Sequence, residues 1–230
     1  MISSADIHWR YEAITPLRER HFHDAERWLG RRERDEYAGL RDLGRRERWL
    51  LGRLVGKRLL LDHFGHLVSE PRMIQIHSRD ARGRAGRPQV SFDDQWQPWS
   101  FSISHTNRSL LVAVSTTRGL SLGVDLVMSE SFSTGFLNTW FAPEERAWLA
   151  KAPGHEAATI WAVKEAAYKA TNRGESFVPR RTIVRRMASG GYACTYHGRD
   201  LAGRSYIHVG AVEGHVTAMV MLATEKEKIF

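Results

Sequence analysis

The sequence predicts an α+β fold in two similar halves, and three observations carry that reading. Between Asp24 and Phe64 the apolar residues recur at spacings of three and four, the period of amphipathic helices. From Arg72 to Val127 they gather instead into short runs bounded by turn-forming residues, the mark of strands. Beyond Ala142 the same order returns, helices first and strands after, with the break near Gly119. Residues 1–119 and 120–230 are therefore expected to form an N-terminal and a C-terminal half, and a cleft between them would be the natural ligand site.

Taken in order, Trp28, Leu29, Tyr37, Leu40, Trp49, Leu50, Leu54 and Leu59 to Leu61 place two helices between Asp24 and Phe64. "RMIQIH" and "WSFSISH" read as strands separated by the turn-prone "SRDARGRAGRPQ". "SLLVAVS" and "LSLGVDLV" are apolar enough to be sheet core. "APEERAWLAK" starts a helix with Pro143 in its first turn and two glutamates where the helix dipole favours acids. "HEAATIWAVKEAAYKATN" is a second helix, and "RTIVRRM", "YACTYH", "YIHVGAV" and "HVTAMVML" follow as strands.

Composition narrows the classes. With 42% hydrophobic residues in 230, the chain can fill a core. No stretch approaches the roughly 20 apolar residues needed to cross a bilayer, and the first 20 residues lack the apolar centre of a secretory signal. The expectation is a cytoplasmic protein with no membrane partner. A single cysteine, Cys194, excludes an internal disulfide, argues against a zinc cluster, and is expected to be a small buried residue. The net charge of +8 favours acidic partners, among them nucleic acid, phosphorylated small molecules and acidic proteins.

"GVDLV" ends an apolar run on one carboxylate, Asp125. In "WAVKEAAYK", helical geometry puts Trp161, Lys164, Glu165, Tyr168 and Lys169 on one arc of roughly 140°. Glu165 and Lys169 could simply be an i, i+4 pair worth about 0.2 to 0.5 kcal/mol. The two aromatics, however, should turn that face inward, where charges need partners. If Glu165 meets Asp125, the two carboxylates repel, and a divalent cation such as magnesium is the ordinary remedy. Lys164 and Lys169 would then stand ready for substrate phosphates, an arrangement suited to phosphoryl-type transfer. "RGRAGRP" offers Arg84 and Arg87 on a glycine-rich loop ended by Pro88, where backbone amides and guanidinium groups could converge on an anion. Ser104 and His105 close a strand, where they could bind phosphate or ribose.

Four ordered blocks, "ERWLLGRLV", "GRPQVSF" with "FSISHT", "LGVDLV", and "FAPEERAWL" leading to "WAVKEAAYKATNRG", resemble the 4'-phosphopantetheinyl transferases of the two-halved Sfp type. The resemblance implies two α+β halves related by a pseudo-two-fold axis, each with a small antiparallel sheet packed against helices. It implies magnesium-dependent transfer of the 4'-phosphopantetheine arm of coenzyme A to a serine of an acyl or peptidyl carrier protein, by a monomer. Asp125 and Glu165 match the family's metal ligands, and Glu165 matches a candidate base beside Lys169. Lys164, Lys169, Ser104, His105, Arg87 with Pro88, and Arg48 match coenzyme A contacts, with Arg84 beside them. Glu145 aligns with an acid of structural or metal-supporting role. Base duty is left open among Glu165, Glu145 and a metal-bound water.

Two positions depart from the pattern. Many members carry a second acid two residues after the aspartate, on the same strand face, where this chain has Val127. Arg87 stands where lysine is commoner. Two other readings compete: a nucleic-acid-binding basic protein, and a carrier-binding homologue without catalysis. Against the first, Asp and Glu interrupt the arginine runs of "RRERDEYAGLRDLGRRERW", and no nucleic-acid-binding motif appears.

Overall fold

The computed structural model describes residues 7–15, 25–79, 85–130, 132–152, 154–172 and 174–224, and the chain divides into two units between Arg118 and Gly119. The N-terminal unit opens with strand β1 (Ile7–Ala13), followed by helices α1 (Ala25–Trp28), α2 (Arg31–Gly39) and α3 (Leu43–Phe64). Strands β2 (Ile74–Arg79), β3 (Ala85–Phe92), β4 (Gln95–Trp96), β5 (Ser100–His105) and β6 (Ser109–Ser115) complete it. They form two antiparallel sheets, ordered β1-β6-β5 and β2-β3-β4. Asp42 caps α3 by accepting from the Arg45 amide at 2.7 Å. The stripe Leu51, Val55, Leu59 then packs on Ile74, Ile76, Phe101, Val112 and Val114.

The C-terminal unit repeats this order. Strand β7 (Leu120–Met128) leads to helices α4 (Thr134–Trp140), α5 (Pro143–Leu149) and α6 (Glu156–Thr171). Strands β8 (Thr182–Arg186), β9 (Tyr192–Tyr196), β10 (Arg199–Asp200), β11 (Ser205–Val212) and β12 (His215–Ala223) follow. The sheets run β7-β12-β11 and β10-β9-β8, strand for strand the N-terminal pattern. The architecture is thus α+β, with four small antiparallel sheets packed against helices in two halves.

A buried ion pair marks the repeat at atomic detail. Glu145 on α5 accepts from the Ala142 amide at 2.8 Å, the Val184 amide at 2.8 Å and the Lys164 ammonium at 2.7 Å. Glu33 on α2 does the same with the Gly30 amide, the Ile76 amide and the Lys57 ammonium. Each lysine gives its remaining donors to backbone carbonyls: Trp28 and Pro71 for Lys57, Pro179 and Thr182 for Lys164. All four side chains are at most 1% exposed. With every ammonium hydrogen accepted, such a pair can be carried in a core, whereas deleting either partner would strand a charge there.

The strand and helix inventory differs from the sequence expectation in several places. Strand β1 and helix α4 were not expected, and helix α1 is a short third helix between Asp24 and Phe64. The stretch read as a glycine-rich loop is, from Ala85 on, strand β3. Its ladder to β2 shifts between His77 and Arg79, so Gly86, Arg87 and Pro88 fall in the irregular part. Pro88 has no N–H for a ladder, which is why the pairing shifts there. Cys194 lies in the core of the C-terminal unit, 2% exposed, and burial pushes its thiol up to about 12. Among the described residues, no helix is long and apolar enough to cross a membrane.

Candidate active site

The site is built where β7 meets α6. Alternation along β7 puts Gly123, Asp125 and Val127 on one face. A side chain at Gly123 would begin 2.0 Å from the Ala166 carbonyl oxygen and 2.6 Å from the Ala170 amide nitrogen. Only glycine allows this approach, so the strand backbone lies directly against the helix backbone. The small residues Ala162, Ala166 and Ala170, all buried, form the facing stripe of α6. Two residues beyond the contact, Asp125 is delivered to the same helix at 2% exposure.

The helix supplies the partners. Glu165 and Asp125 interact directly, and the Trp161 indole, one turn earlier, also hydrogen-bonds the Glu165 carboxylate. Burial, and next the negative charge of Asp125, push the Glu165 carboxyl up to about 7, with Lys169 opposing them. Lys169 donates to Asp125 Oδ1 at 2.7 Å and to the Val124 carbonyl at 3.0 Å. Aromatic rings flank this group: Phe136 meets Trp161 edge-on with centroids 4.8 Å apart, and Phe177 lies 4.8 Å from Tyr168. Asp125, Glu165 and Lys169 therefore form one cluster with two carboxylates and one ammonium.

Lys164 does not join this cluster. It is fully enclosed and bonded to Glu145, Pro179 and Thr182. The reason is the width of the helical arc: Lys164 and Lys169 stand at its two ends, roughly 140° apart, and so face different neighbours. Glu145, both oxygens engaged and 1% exposed, is likewise a structural anchor in this geometry.

Arg48, Arg87, Pro88, Ser104 and His105 belong to the N-terminal unit. Arg48 is half-buried on α3, and its Nη1 lies 3.1 Å from where a Gly44 side chain would start. Arg87 and Pro88 are half-buried on β3, Ser104 is buried on β5, and His105 is exposed beside it. Arg84 lies outside the described residues. Two features of the cluster were not read from the sequence, the Trp161 hydrogen bond and the bare Gly123 crossing. The signals were present, in the four-residue spacing of Trp161 and Glu165 and in a glycine within an otherwise apolar strand.

Among the described residues, no three His, Cys, Asp or Glu side chains gather into a metal-binding group. Two carboxylates with one ammonium nonetheless leave one negative charge unmatched. Hard oxygen donors in that number suit magnesium, which takes one or two protein carboxylates and fills its shell with water and substrate phosphate. The donor set thus fits such an ion.

Residues 121–220, which include Asp125, Glu145, Lys164, Glu165 and Lys169, match the family model of the 4'-phosphopantetheinyl transferase superfamily. The C-terminal half carries a domain of that superfamily. Among solved structures, the crystal structure of Thermotoga maritima holo-[acyl-carrier-protein] synthase matches at 20% identity, with a TM-score of 0.34. The match covers 46% of this chain and 64% of that one, so the chain spans less than two thirds of that protein's length. No curated protein matches the chain. In this superfamily domain, β7 and α6 are the two elements that carry the carboxylate cluster.

Proposed function

We propose that the protein is a phosphopantetheinyl transferase that moves the 4'-phosphopantetheine arm of coenzyme A to a serine of an acyl or peptidyl carrier protein. The observation that carries this reading is the meeting of Asp125, Glu165 and Lys169 inside the superfamily-matched domain.

Asp125 and Glu165 would hold a magnesium ion, which when bound neutralises charge on the diphosphate of coenzyme A. Glu165, whose carboxyl is pushed up by burial and the Asp125 charge in the metal-free protein, is also the candidate base for the proton of the attacking serine hydroxyl. The serine oxygen forms a bond to the β-phosphorus, and the bond from that phosphorus to the bridging oxygen breaks, releasing adenosine 3',5'-bisphosphate. Lys169, at the edge of the cluster with a quarter of its side chain exposed, can turn its ammonium to the phosphate oxygens. The enclosure of Glu145 speaks against it as base. Arg48, Arg87, Pro88, Ser104 and His105 are assigned to coenzyme A. The carrier is an acidic partner suited to the +8 charge.

Mass spectrometry of apo carrier proteins incubated with the protein, magnesium and coenzyme A tests the reading. A mass gain of one phosphopantetheinyl group on the carrier serine is expected. Unchanged masses across fatty-acid, polyketide and peptide carriers would reject transfer.

A further inference from the structure

We infer that Lys169 is a resident counter-cation, seated on the Asp125 carboxylate and required to leave it before a divalent ion can bind with full strength. The inference rests on the magnesium reading above and goes beyond it, because it assigns one residue two successive partners. Three observations carry it.

The first is position. The Lys169 ammonium contacts Asp125 Oδ1 at 2.7 Å, on one of the two carboxylates a cation approaching between Asp125 and Glu165 would need, and a second bond to the Val124 carbonyl holds it there. An ammonium and a divalent ion held on one carboxylate repel each other strongly.

The second is charge. With both carboxyls ionised, Asp125, Glu165 and Lys169 sum to one net negative charge. Adding a divalent ion with the lysine in place would leave the group at plus one, so the ion's arrival and the lysine's departure are linked. The ammonium is not locked in, since its side chain is 25% exposed while that of Asp125 is 3% exposed. A long flexible stem on the last turn of α6 can carry it outward.

The third is the comparison inside the chain. Arg10 on β1 stands opposite Val112 as Asp125 on β7 stands opposite Ala218, equivalent places counted from the two hairpin turns. Asp62 follows Lys57 by the same interval at which Lys169 follows Lys164. In the N-terminal unit these two places form the ion pair Arg10 with Asp62, and Glu12 also accepts from Arg10. Both units therefore close this junction of strand and helix with an ion pair. The second carboxylate differs in origin: in the C-terminal unit it is Glu165, on the helix where Arg58 stands in the other unit, and in the N-terminal unit it is Glu12, on the strand.

Manganese(II) binding followed by electron paramagnetic resonance, without coenzyme A, tests the inference on the full chain. Lys169→Gln is expected to bind manganese about tenfold more tightly than the parent protein, because one competing charge is gone. It should also bind coenzyme A more weakly by calorimetry. Equal or weaker manganese binding by Lys169→Gln, with the parent protein binding, would overturn the counter-cation role and leave the metal site standing. No binding by either protein would overturn the metal site and this inference together. Asp125→Asn should lose manganese in both backgrounds, which ties the signal to this carboxylate. Circular dichroism and a urea midpoint within error of the parent confirm that each variant is folded.

Discussion

Glu165 is pulled two ways, and that sets measurable pH behaviour. Burial and the Asp125 charge hold its proton more tightly in the folded protein than in the unfolded chain. Between the ordinary glutamate value, about 4.3, and about 7, the metal-free folded state carries a proton the unfolded state has lost. Stability from this group is therefore full below that window and falls as pH rises through it. Glu165→Gln is expected to be more stable than the parent at pH 8 in chelator, by on the order of 2 kcal/mol, with the gain vanishing near pH 4. Urea denaturation at the two pH values measures it, and an equal gain at both would refute the burial of that charge. In the carrier assay, Asp125→Asn and Glu165→Gln are each expected to slow transfer by about 10²-fold or more while keeping the parent's circular dichroism. Near-parent rates in either would remove it from the site.

At the scale of elements, the crossing of β7 under α6 is set by the absence of a side chain. Gly123→Ala would drive a methyl group into helix backbone, which cannot yield as a side-chain end can. A loss of at least about 3 kcal/mol is expected, read from the denaturation midpoint, together with weaker metal binding as Asp125 is displaced. A methyl accommodated at no cost would mean that the two backbones do not touch. Much of this junction was legible beforehand: the apolar run fixed β7, and helical periodicity put Glu165 and Lys169 on one face. The place of Lys164 beside Glu145 was not legible, because periodicity gives angles around an axis and not the neighbour waiting at each angle. Glu145 and the Pro179 and Thr182 carbonyls lie in other elements, and no local pattern announces them. Strand β3 was hidden because Gly86 and Pro88 signal a turn, and only pairing to β2 overrides them. Strand β1 was legible in the alternation of Ile7, Trp9, Tyr11 and Ala13 with His8, Arg10 and Glu12, yet it was not among the expected strands.

Across the whole molecule, the two units share a frame fixed by the same buried pin. Lys57→Met and Lys164→Met should each cost about 3 to 5 kcal/mol, since each leaves a buried glutamate without its cation. Similar losses are expected from the two. A harmless substitution in either unit would show that its glutamate is held by backbone amides alone. The frame is common, yet the charges laid on it are reversed. In one unit the strand gives the acid and the helix the base, Asp125 to Lys169, and in the other the strand gives the base and the helix the acid, Arg10 to Asp62. The halves are therefore not interchangeable parts. A chimera with α6 grafted in place of α3 would set Lys169 against Arg10, cation on cation, and the reciprocal graft would set Asp62 against Asp125. Each strand accepts its own helix and rejects its twin's, so a chain built from two look-alike halves carries a charge code against assembling them in the wrong combination.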